Sequence, residues 1–450
     1  MKKFNVPYKL KEVASIFHGA GFQVFLVGGA VRDFFLGKKP PDYDLASDAK
    51  PEDVMRIFKK VLPTGIAHGT VTILYKGLNI ECTTFRADGD YSDARHPDNV
   101  NYVASIEEDL SRRDFTVNAM AVSLPKGNIV DPFNGASDLK KCIIQTVGNP
   151  DKRFSEDALR LMRAVRFATK LNFQIEEKTF DAISKLHENI KSVSIERVRD
   201  EFSKILLSEK PIIGLRLLES TGLLKIIIPE LSECRGVEQK GMHRFDVLDH
   251  SFLVCNQTPP ELHLRLSGLF HDIAKPQTRA QDSYGNFTFY RHEVKGAKLT
   301  GKILKRLKFP NRLIDKVVLL IREHMFHYEE NWKSSTVRRF IARVGRENID
   351  DLFALRQADT FGLQGEPVPP ILLSEFAERI DTVLSESNVL GLKDLTVNGN
   401  DLIKIGVPKG KMVGRILYDL LQTVLDDPAQ NNRKQLLEIA GKLKEKYRCN

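Results

Sequence analysis

Residues Phe25 to Ala46 read FLVGGAVRDFFLGKKPPDYDLA, and the order of residues in this stretch sets the expectations for the rest of the chain. Phe25, Leu26 and Val27 form a short apolar run of the kind that makes a buried strand, and Gly28-Gly29 then turns the chain into an amphipathic segment. The pattern predicts a strand, a glycine turn and a helix start. Glycines at such a turn let backbone N–H groups approach an anion, the helix start adds partial positive charge, and Arg32 can grip phosphate oxygens bidentately. Pro40 and Pro41 stop the helix. Asp42 and Asp44 follow two residues apart, so on a strand both carboxylates face the same side. Paired carboxylates repel unless cations lie between them. Magnesium binds through one or two carboxylates plus substrate phosphates, and two ions together clamp the attacking and leaving oxygens of an in-line displacement.

A Gly-Gly turn or an Asp-x-Asp alone is common in loops and caps; the spacing of the two together carries the information. GGAVRD followed by DYD resembles the signature of the polymerase β nucleotidyltransferase superfamily, in its bacterial class II tRNA nucleotidyltransferase and poly(A) polymerase branch. The resemblance implies an α+β chain: a small mixed-sheet head, polymerase β-like, followed by an all-α neck, body and tail. It also implies that Asp42 and Asp44 hold two Mg²⁺ ions in the head and that Gly28, Gly29 and Arg32 position a triphosphate.

The totals fit this outline. With 450 residues the chain is too long for one core and divides into two to four domains. A composition of 42% hydrophobic and 28% charged residues is that of an ordinary soluble globular protein. No apolar run approaches the ~20 residues needed to cross a bilayer, and the start MKKFNVPYKLKE lacks the apolar centre of a signal peptide, so a cytoplasmic protein is expected. The five cysteines, Cys82, Cys142, Cys234, Cys255 and Cys449, form no CxxC pair, which argues against a zinc ribbon or a disulfide framework. The net charge of +9 suits a polyanionic partner.

Along the head, residues 8 to 20 predict a helix with Leu10, Val13, Ala14 and Phe17 on one face. Another helix is expected from Lys50 to Leu62, started by Pro51. Gly69 to Tyr75 and Leu78 to Phe85 read as a hairpin turned by Lys76-Gly77. Glu81 on its second strand reads equally as an edge glutamate or as a third carboxylate beside the aspartates; the resemblance, through Glu81-Cys82-Thr83-Thr84-Phe85-Arg86, implies the latter. Arg86 to Tyr102 is polar, rich in turn formers and too long for a hairpin connection. It resembles the loop that class II enzymes need for adding the final A, although Arg95-His96-Pro97 stands where the family more often has two arginines before the proline. In EEDLSRRDFTVNAMA, Glu107 to Ala121, an acidic first turn precedes Arg112 and Arg113, and a guanidinium there can reach a triphosphate. The resemblance gives Arg113 to the incoming nucleotide. Asp131 to Gly135 reads as a turn, and Leu139 to Gln145 as the last strand or its approach.

A long helical region is expected from Ser155, with Ser155 as its N-cap, through SEDALRLMRAVRFATKL. Arg160, Arg163 and Arg166 recur every three residues and share a broad face, which on periodicity alone is a solvated basic face. EDALR also resembles the family's nucleobase-reading motif. On that resemblance Asp157 and Arg160 read C or A as a base pair would, while Arg163 and Arg166 hold nucleotide or primer phosphate. IERVRDEFSKILL, Ile195 to Leu207, continues the helical neck.

Seven of the eleven histidines fall between His243 and His327: His243, His250, His263, His271, His292, His324 and His327. His271-Asp272, followed by Ile273, Ala274 and Lys275, resembles the HD phosphohydrolase motif. The resemblance implies a divalent transition metal or Mg²⁺ held by His250, His271, Asp272 and Asp359, with His292 and His324 where some HD proteins bind a second ion. Past the linker GEPVPP, VNGNDLIKIGVPKGKMVGRILYDLL resembles the tail of bacterial class II enzymes, which meets the outer part of tRNA.

The expected domains are a nucleotidyltransferase head at 1–148, a helical neck and body for nucleobase recognition at 149–238, an HD phosphohydrolase-like domain at 239–364 and a tRNA-binding tail at 365–450. The function implied is template-independent addition of CCA to tRNA from CTP and ATP, with an accessory HD phosphohydrolase activity that trims 2′,3′-cyclic or 3′-phosphate ends, and no membrane partner. Enzymes adding only CC or only A, and poly(A) polymerases, share the head motifs. An alarmone synthetase-hydrolase combines the same two kinds of site in the opposite chain order. A purely RNA-binding scaffold would keep the basic faces and need none of the carboxylates.

Overall fold

The computed structural model describes residues 4–66, 69–88, 100–103, 105–239, 244–364, 371–386 and 390–448. The chain divides into two compact units, residues 1–233 and 234–450. The first holds nine strands of the head, β1 (Val24–Val27), β2 (Tyr43–Ser47), β3 (Val61–Gly65), β4 (Thr70–Tyr75), β5 (Leu78–Thr84), β6 (Arg86–Asp88), β7 (Val100–Tyr102), β8 (Ala121–Ser123) and β9 (Asn128–Val130). Seven of them form one sheet in the order β3-β4-β5-β2-β1-β8-β9. Strands β2 and β5 run parallel while the other pairs are antiparallel, so the sheet is mixed. All four residues of β1 are buried, as a central strand requires. The β4–β5 hairpin turns on Lys76 and Gly77, both with positive φ, the conformation a two-residue turn needs to match strand twist.

Helix α1 (Tyr8–Gly19) buries the four residues its spacing predicts, Leu10, Val13, Ala14 and Phe17. Helix α2 (Gly29–Phe35) leaves the glycine turn after β1. Helix α3 (Pro51–Ile57) is shorter than expected: the chain is extended at Phe58, and Val61 and Leu62 join β3. Pro63 disfavours helical backbone at Leu62. The ends of the expected long loop pair as an antiparallel ribbon, Arg86 to Tyr102 and Asp88 to Val100, so it begins as a hairpin after all. Its residues 89–99, with Arg95-His96-Pro97, lie outside the described residues, as do His243 and the linker at 365–370.

Helix α4 (Ile106–Ser111) is capped by the Ser105 hydroxyl. Helix α5 (Gly135–Lys141) takes the first residues, Leu139 to Lys141, of the segment expected to be the last strand or its approach, because the Asp131 carboxylate accepts from the N–H groups of Gly135 and Ala136 and starts a helix there. What remains is β10 (Ile143–Ile144), paired with β11 (Gln174–Ile175) and not with the main sheet. The expected continuous helix from Ser155 is two helices, α6 (Pro150–Glu156), capped by Asn149, and α7 (Leu159–Leu171). Asp157 between them is extended, and its carboxylate accepts from Leu159 N. An aspartate prefers to cap a new helix over continuing an old one. Helices α8 (Glu177–Leu186), α9 (Ile195–Leu206), α10 (Pro211–Ser220), α11 (Leu223–Ile227) and α12 (Pro229–Ser232) complete the unit.

The second unit is helical apart from a small ribbon of β12 (Ala280–Gln281) and β13 (Phe287–Thr288). It runs α13 (Val247–Gln257), α14 (Leu262–Phe270), α15 (Lys275–Thr278), α16 (His292–Arg306), α17 (Asn311–Glu323), α18 (Ser334–Val344), α19 (Ile349–Gln364), α20 (Ile371–Glu386), α21 (Gly399–Lys404), α22 (Lys411–Asp426) and α23 (Arg433–Arg448). One apolar core gathers Val254, Leu264, Leu320, Phe340 and Phe376, and another Leu402, Ile416, Leu420, Val424 and Leu436. Each such side chain contributes about 1.5 to 3 kcal/mol on burial. Arg338 joins the two by donating to the carbonyls of Leu425 and Asp426 at the end of α22. Among the described residues no helix is long and apolar enough to cross a membrane.

Candidate functional site

The sheet sets the first carboxylates. Asp44 and Glu81 are direct partners across the parallel β2–β5 pair, and Asp44 also faces Val27 at the end of β1, where the glycine turn begins. Cross-strand partners present side chains on one face, so Glu81 joins the aspartates, and the edge-glutamate alternative falls. Asp42 sits just before β2 and is exposed. Burial first, then the charges of Glu81 and Asp42, raise the Asp44 carboxyl above its usual range, against the pull of Arg113. An anionic cluster with so little protein compensation suits divalent cations.

Gly28 has a φ of +69°, and a Cβ there would lie 3.4 Å from Arg113 Nη1 and 3.7 Å from Asp44 Oδ2. The turn, the arginine and the acid thus meet at one point. Arg113 is aimed by Asp109, a buried carboxylate paired with Arg112 at 2.8 Å and Arg113 at 3.1 Å. Burial pushes Asp109 up, and the Arg113 and Arg112 guanidiniums outweigh it and hold the carboxyl below its ordinary range.

Arg32 is buried beneath this turn, donating to Asn118 Oδ1 at 2.6 Å and to Asp33. Asn118 in turn donates to Asp114, which accepts from Arg163 at 2.5 and 2.8 Å. Arg166 pairs with the buried Glu201 at 2.8 Å. The guanidiniums of Arg32, Arg163 and Arg166 also lie 5.5, 5.3 and 4.3 Å from the Phe167 ring. The periodic arginines are therefore no solvated face: they fasten α7 to the head and to α9. Asp109, Asp114, Asn118 and Glu201 were not singled out from sequence, although Asp114 is the acid of the RRD run itself.

Asp157 and Arg160 flank the break between α6 and α7. Asp157 accepts from Arg197 Nη2 at 3.3 Å, and Arg160 donates to Glu156 at 2.8 Å and to the carbonyls of Arg153 and Arg112 at 3.1 Å. The last contact ties Arg160 to the residue beside Arg113.

In the second unit His250 from α13, His271 and Asp272 after α14, His292 opening α16, His324 ending α17 and Asp359 from α19 are all buried and form one cluster. His250 Nε2 lies 3.1 Å from both His271 Nε2 and Asp359, His271 Nε2 3.1 Å from Asp272, and His292 Nε2 3.2 Å from the other oxygen of Asp272. The Nδ1 atoms of His271, His292 and His324 lie 2.7 to 2.9 Å from the carbonyls of Gly268, Phe289 and Ile321. Donation of Nδ1–H to a carbonyl leaves Nε2 with its lone pair facing inward. Burial opposes charge on His271, but Asp272 and Asp359 outweigh it and raise its pKa to about 10; burial and then the His271 charge push His324 down to about 3. Imidazole nitrogens that converge with two carboxylates fit a divalent cation, and nitrogen with carboxylate donors suits a transition metal. Lys275, which ends the run that begins at His271, pairs with Asp272 at 2.6 Å and with Gln239 at 2.5 Å. Of the remaining histidines, His263 belongs to an ion-pair group in which Lys316 already neutralises Asp351, and His327 is exposed.

Residues 24–145 match the family profile described as the poly A polymerase head domain, 172–234 that of an RNA- and SrmB-binding site of polymerase A, and 287–440 that of tRNA nucleotidyltransferase domain 2. The chain is 34% identical over 445 residues to the CCA-adding enzyme of Ligilactobacillus salivarius, covering 98% of each, and 33% identical to that of Lactobacillus johnsonii, covering 96% of this chain and 95% of the relative. The Bacillus stearothermophilus CCA-adding enzyme, solved in complex with CTP, matches with a TM-score of 0.72 and 29% identity over 99% of both chains. The Thermotoga maritima CCA-adding enzyme, solved with tRNA, shares the fold at a TM-score of 0.57 and 21% identity, over 98% of this chain and 97% of that one. With full-length relatives above 30% identity and a mixed-sheet head that sets Asp44 beside Glu81, the chain belongs to the CCA-adding enzyme family.

Proposed function

We propose that this enzyme adds CCA to the 3′ end of tRNA from CTP and ATP, without a nucleic-acid template, in the cytoplasm. The observation that carries the reading is the pairing of Asp44 with Glu81 beside the Gly28 turn and Arg113. Asp42, Asp44 and Glu81 would hold two Mg²⁺. When bound, such ions lower the pKa of the primer 3′-hydroxyl and neutralise charge at the α-phosphate. Gly28 and Gly29 leave room for the triphosphate against the backbone, and Arg113, aimed by Asp109, meets its charge. Arg32 holds the turn through Asn118, and Arg163 and Arg166 hold α7; a phosphate that reaches them shares them with Asp114 and Glu201. Asp157 and Arg160 read the base, exchanging Arg197 and Glu156 for its polar edge. We assign the head to 1–148, the base-reading neck and body to 149–238, a hydrolase-like domain to 239–364 and the tRNA-binding tail to 365–450. The test is to sequence the 3′ ends made from tRNAs ending without CCA, in C or in CC, with CTP and ATP separately and together. Complete CCA ends support the reading, while ends stopping at CC, added A alone or long A tracts identify a partial enzyme or a poly(A) polymerase.

A second reading rests on the six-residue cluster of the other unit. His250, His271, Asp272 and Asp359, with His292 and His324, would hold one or two divalent ions for hydrolysis of phosphate esters. In that reaction a water oxygen bonds to phosphorus, the P–O bond to the ribose breaks, and the leaving oxygen takes a proton. Loss of phosphatase activity in His271→Ala with CCA addition intact supports it, and undiminished hydrolysis rejects it.

A further inference from the structure

The net charge of +9 is gathered in one place. Residues 291–312 hold eight lysines and arginines against one glutamate, a net +7, whereas residues 365–450, the expected tail, hold twelve basic and twelve acidic residues and are neutral. The charged stretch is α16 with its two flanks. This helix buries His292, Gly296, Ala297, Thr300, Ile303 and Leu304. Lys295, Lys298, Lys302 and Lys305 are exposed on the opposite side, and Arg291, just ahead of the helix, is exposed too. At 3.6 residues per turn and 1.5 Å per residue, the four lysines fall within an arc of about 80° and a run of about 15 Å. From Val294 to Asn311 the chain has no acid. Among the described residues none of these four lysines makes an ion pair. Helix α17, which packs beside α16, exposes Arg312, Asp315 and Arg322, so it adds no acidic cover.

A solvated helix face ordinarily mixes its charges, because like charges three and four residues apart repel. Here Lys295 and Lys298, Lys298 and Lys302, and Lys302 and Lys305 all stand at those spacings. Lys295 also lies in the first turn, where the helix dipole disfavours a cation. Both arrangements oppose the free helix and turn favourable once a polyanion lies along it. We propose that this face of α16, Lys295, Lys298, Lys302 and Lys305 with Arg291 ahead of them, docks the phosphate backbone of a double-stranded arm of tRNA. An enzyme that extends tRNAs of differing sequence must hold them without reading bases, and contacts to phosphate do that. RNA duplexes are held chiefly through shape, phosphates and 2′-hydroxyls, and lysine, a point charge on a flexible stem, adapts to phosphates whose positions vary. The proposal rests on the CCA-adding reading above and goes past it by placing the electrostatic grip outside the neutral tail.

The experiment measures binding of tRNA lacking CCA to the full-length protein over a series of salt concentrations, together with the kinetics of CCA addition. One variant changes Lys295, Lys298, Lys302 and Lys305 together to Gln, and a second changes the same four to Arg. A third, Lys298→Gln with Lys302→Gln, is set against Lys59→Gln with Lys60→Gln, two exposed lysines of the head that remove the same charge. The fourfold Gln variant is expected to bind tRNA at least about tenfold more weakly near ~0.15 M salt and to lower the slope of log K against log salt by about 3, at roughly 0.7 to 0.9 per lost phosphate contact. Its KM for tRNA should rise in step, with kcat and the KM for CTP unchanged, since the triphosphate turn lies in the first unit. The Arg variant should keep the original binding, and Lys298→Gln with Lys302→Gln should lose more than the head pair. Unchanged binding and slope in the fourfold Gln variant would mark an ordinary solvated face and refute the proposal. An equal loss in the head pair would refute it as well, because the attraction would then follow net charge alone. Loss of binding to phosphatidylglycerol vesicles with tRNA binding intact would give the face to a lipid surface and overturn it. If the unaltered protein adds no CCA, the reading of its activity fails, and the salt slope of tRNA binding alone then decides for or against the docking face.

Discussion

Gly28 illustrates how much a single missing side chain decides. Its backbone, at φ 69° and ψ −133°, lies in a region that L-residues occupy only at a cost of about 1 to 3 kcal/mol. The alanine methyl would also touch Arg113 Nη1 at 3.4 Å, filling space at the triphosphate turn. Gly28→Ala should therefore cut addition of both C and A by at least about tenfold, a 1.4 kcal/mol effect, while circular dichroism shows the fold retained; selective loss of one nucleotide would contradict a role at the shared triphosphate. Asp44→Ala removes the acid set between Glu81 and the turn. Addition should fall by roughly three orders of magnitude or more, as for removal of a principal charge-stabilising group, with tRNA binding in a gel-shift assay little changed. Full activity in Asp44→Ala would end the metal assignment. Arg160→Ala should blur the choice between CTP and ATP, measured as the ratio of their kcat/KM values, because the change removes donors and leaves the carboxylates untouched.

At the level of elements, α7 depends on charge partners that sequence periodicity cannot reveal. Three arginines at i, i+3 and i+6 look alike in the sequence, yet Arg163 meets Asp114 of the head and Arg166 meets Glu201 of α9. Burial raises the Asp114 carboxyl, and Arg163 and Asn118 more than reverse this and hold it below its ordinary value. A lowered native pKa contributes stability above the unfolded value near 3.9, and that contribution is lost as pH falls through the native value. Asp114→Asn should destabilise the first unit by about 2 to 4 kcal/mol at neutral pH, because it strands Arg163 against the head, and should flatten the fall in thermal midpoint between pH 5 and 3. Equal slopes in the two proteins would mean that the pair does not titrate with folding. The strand, turn and helix at Gly28-Gly29 and the hairpin at Lys76-Gly77 were legible because apolar runs, Gly-Gly and Lys-Gly encode local geometry. The α6–α7 break was not, since Ser155 and Asp157 are both acceptable caps and only the fold chooses between them. Likewise the resemblance pointed to six ligands, while Gln239, which accepts from Lys275, carries no such pattern and became visible only in the folded unit.

For the whole molecule, the two constellations use different donor chemistry. The head offers oxygen ligands, carboxylates of Asp42, Asp44 and Glu81, which suit Mg²⁺ completed by substrate phosphates. The second unit offers imidazole nitrogens with two aspartates, a set that binds later first-row metals far more tightly than Mg²⁺. CCA addition and the proposed hydrolysis should therefore separate by metal alone. After exhaustive chelation both are expected to vanish. Restoring millimolar Mg²⁺ should return CCA addition in full, while phosphate-ester hydrolysis should stay near background until micromolar Ni²⁺, Co²⁺ or Mn²⁺ is supplied. Parallel assays on one chelated stock measure this, with 3′-end sequencing for the first activity and released phosphate for the second. Recovery of hydrolysis with Mg²⁺ alone would show that the imidazoles do not control the choice of ion. A need for transition metal in CCA addition would instead place the head carboxylates in a different coordination chemistry from the one the β2–β5 register supports.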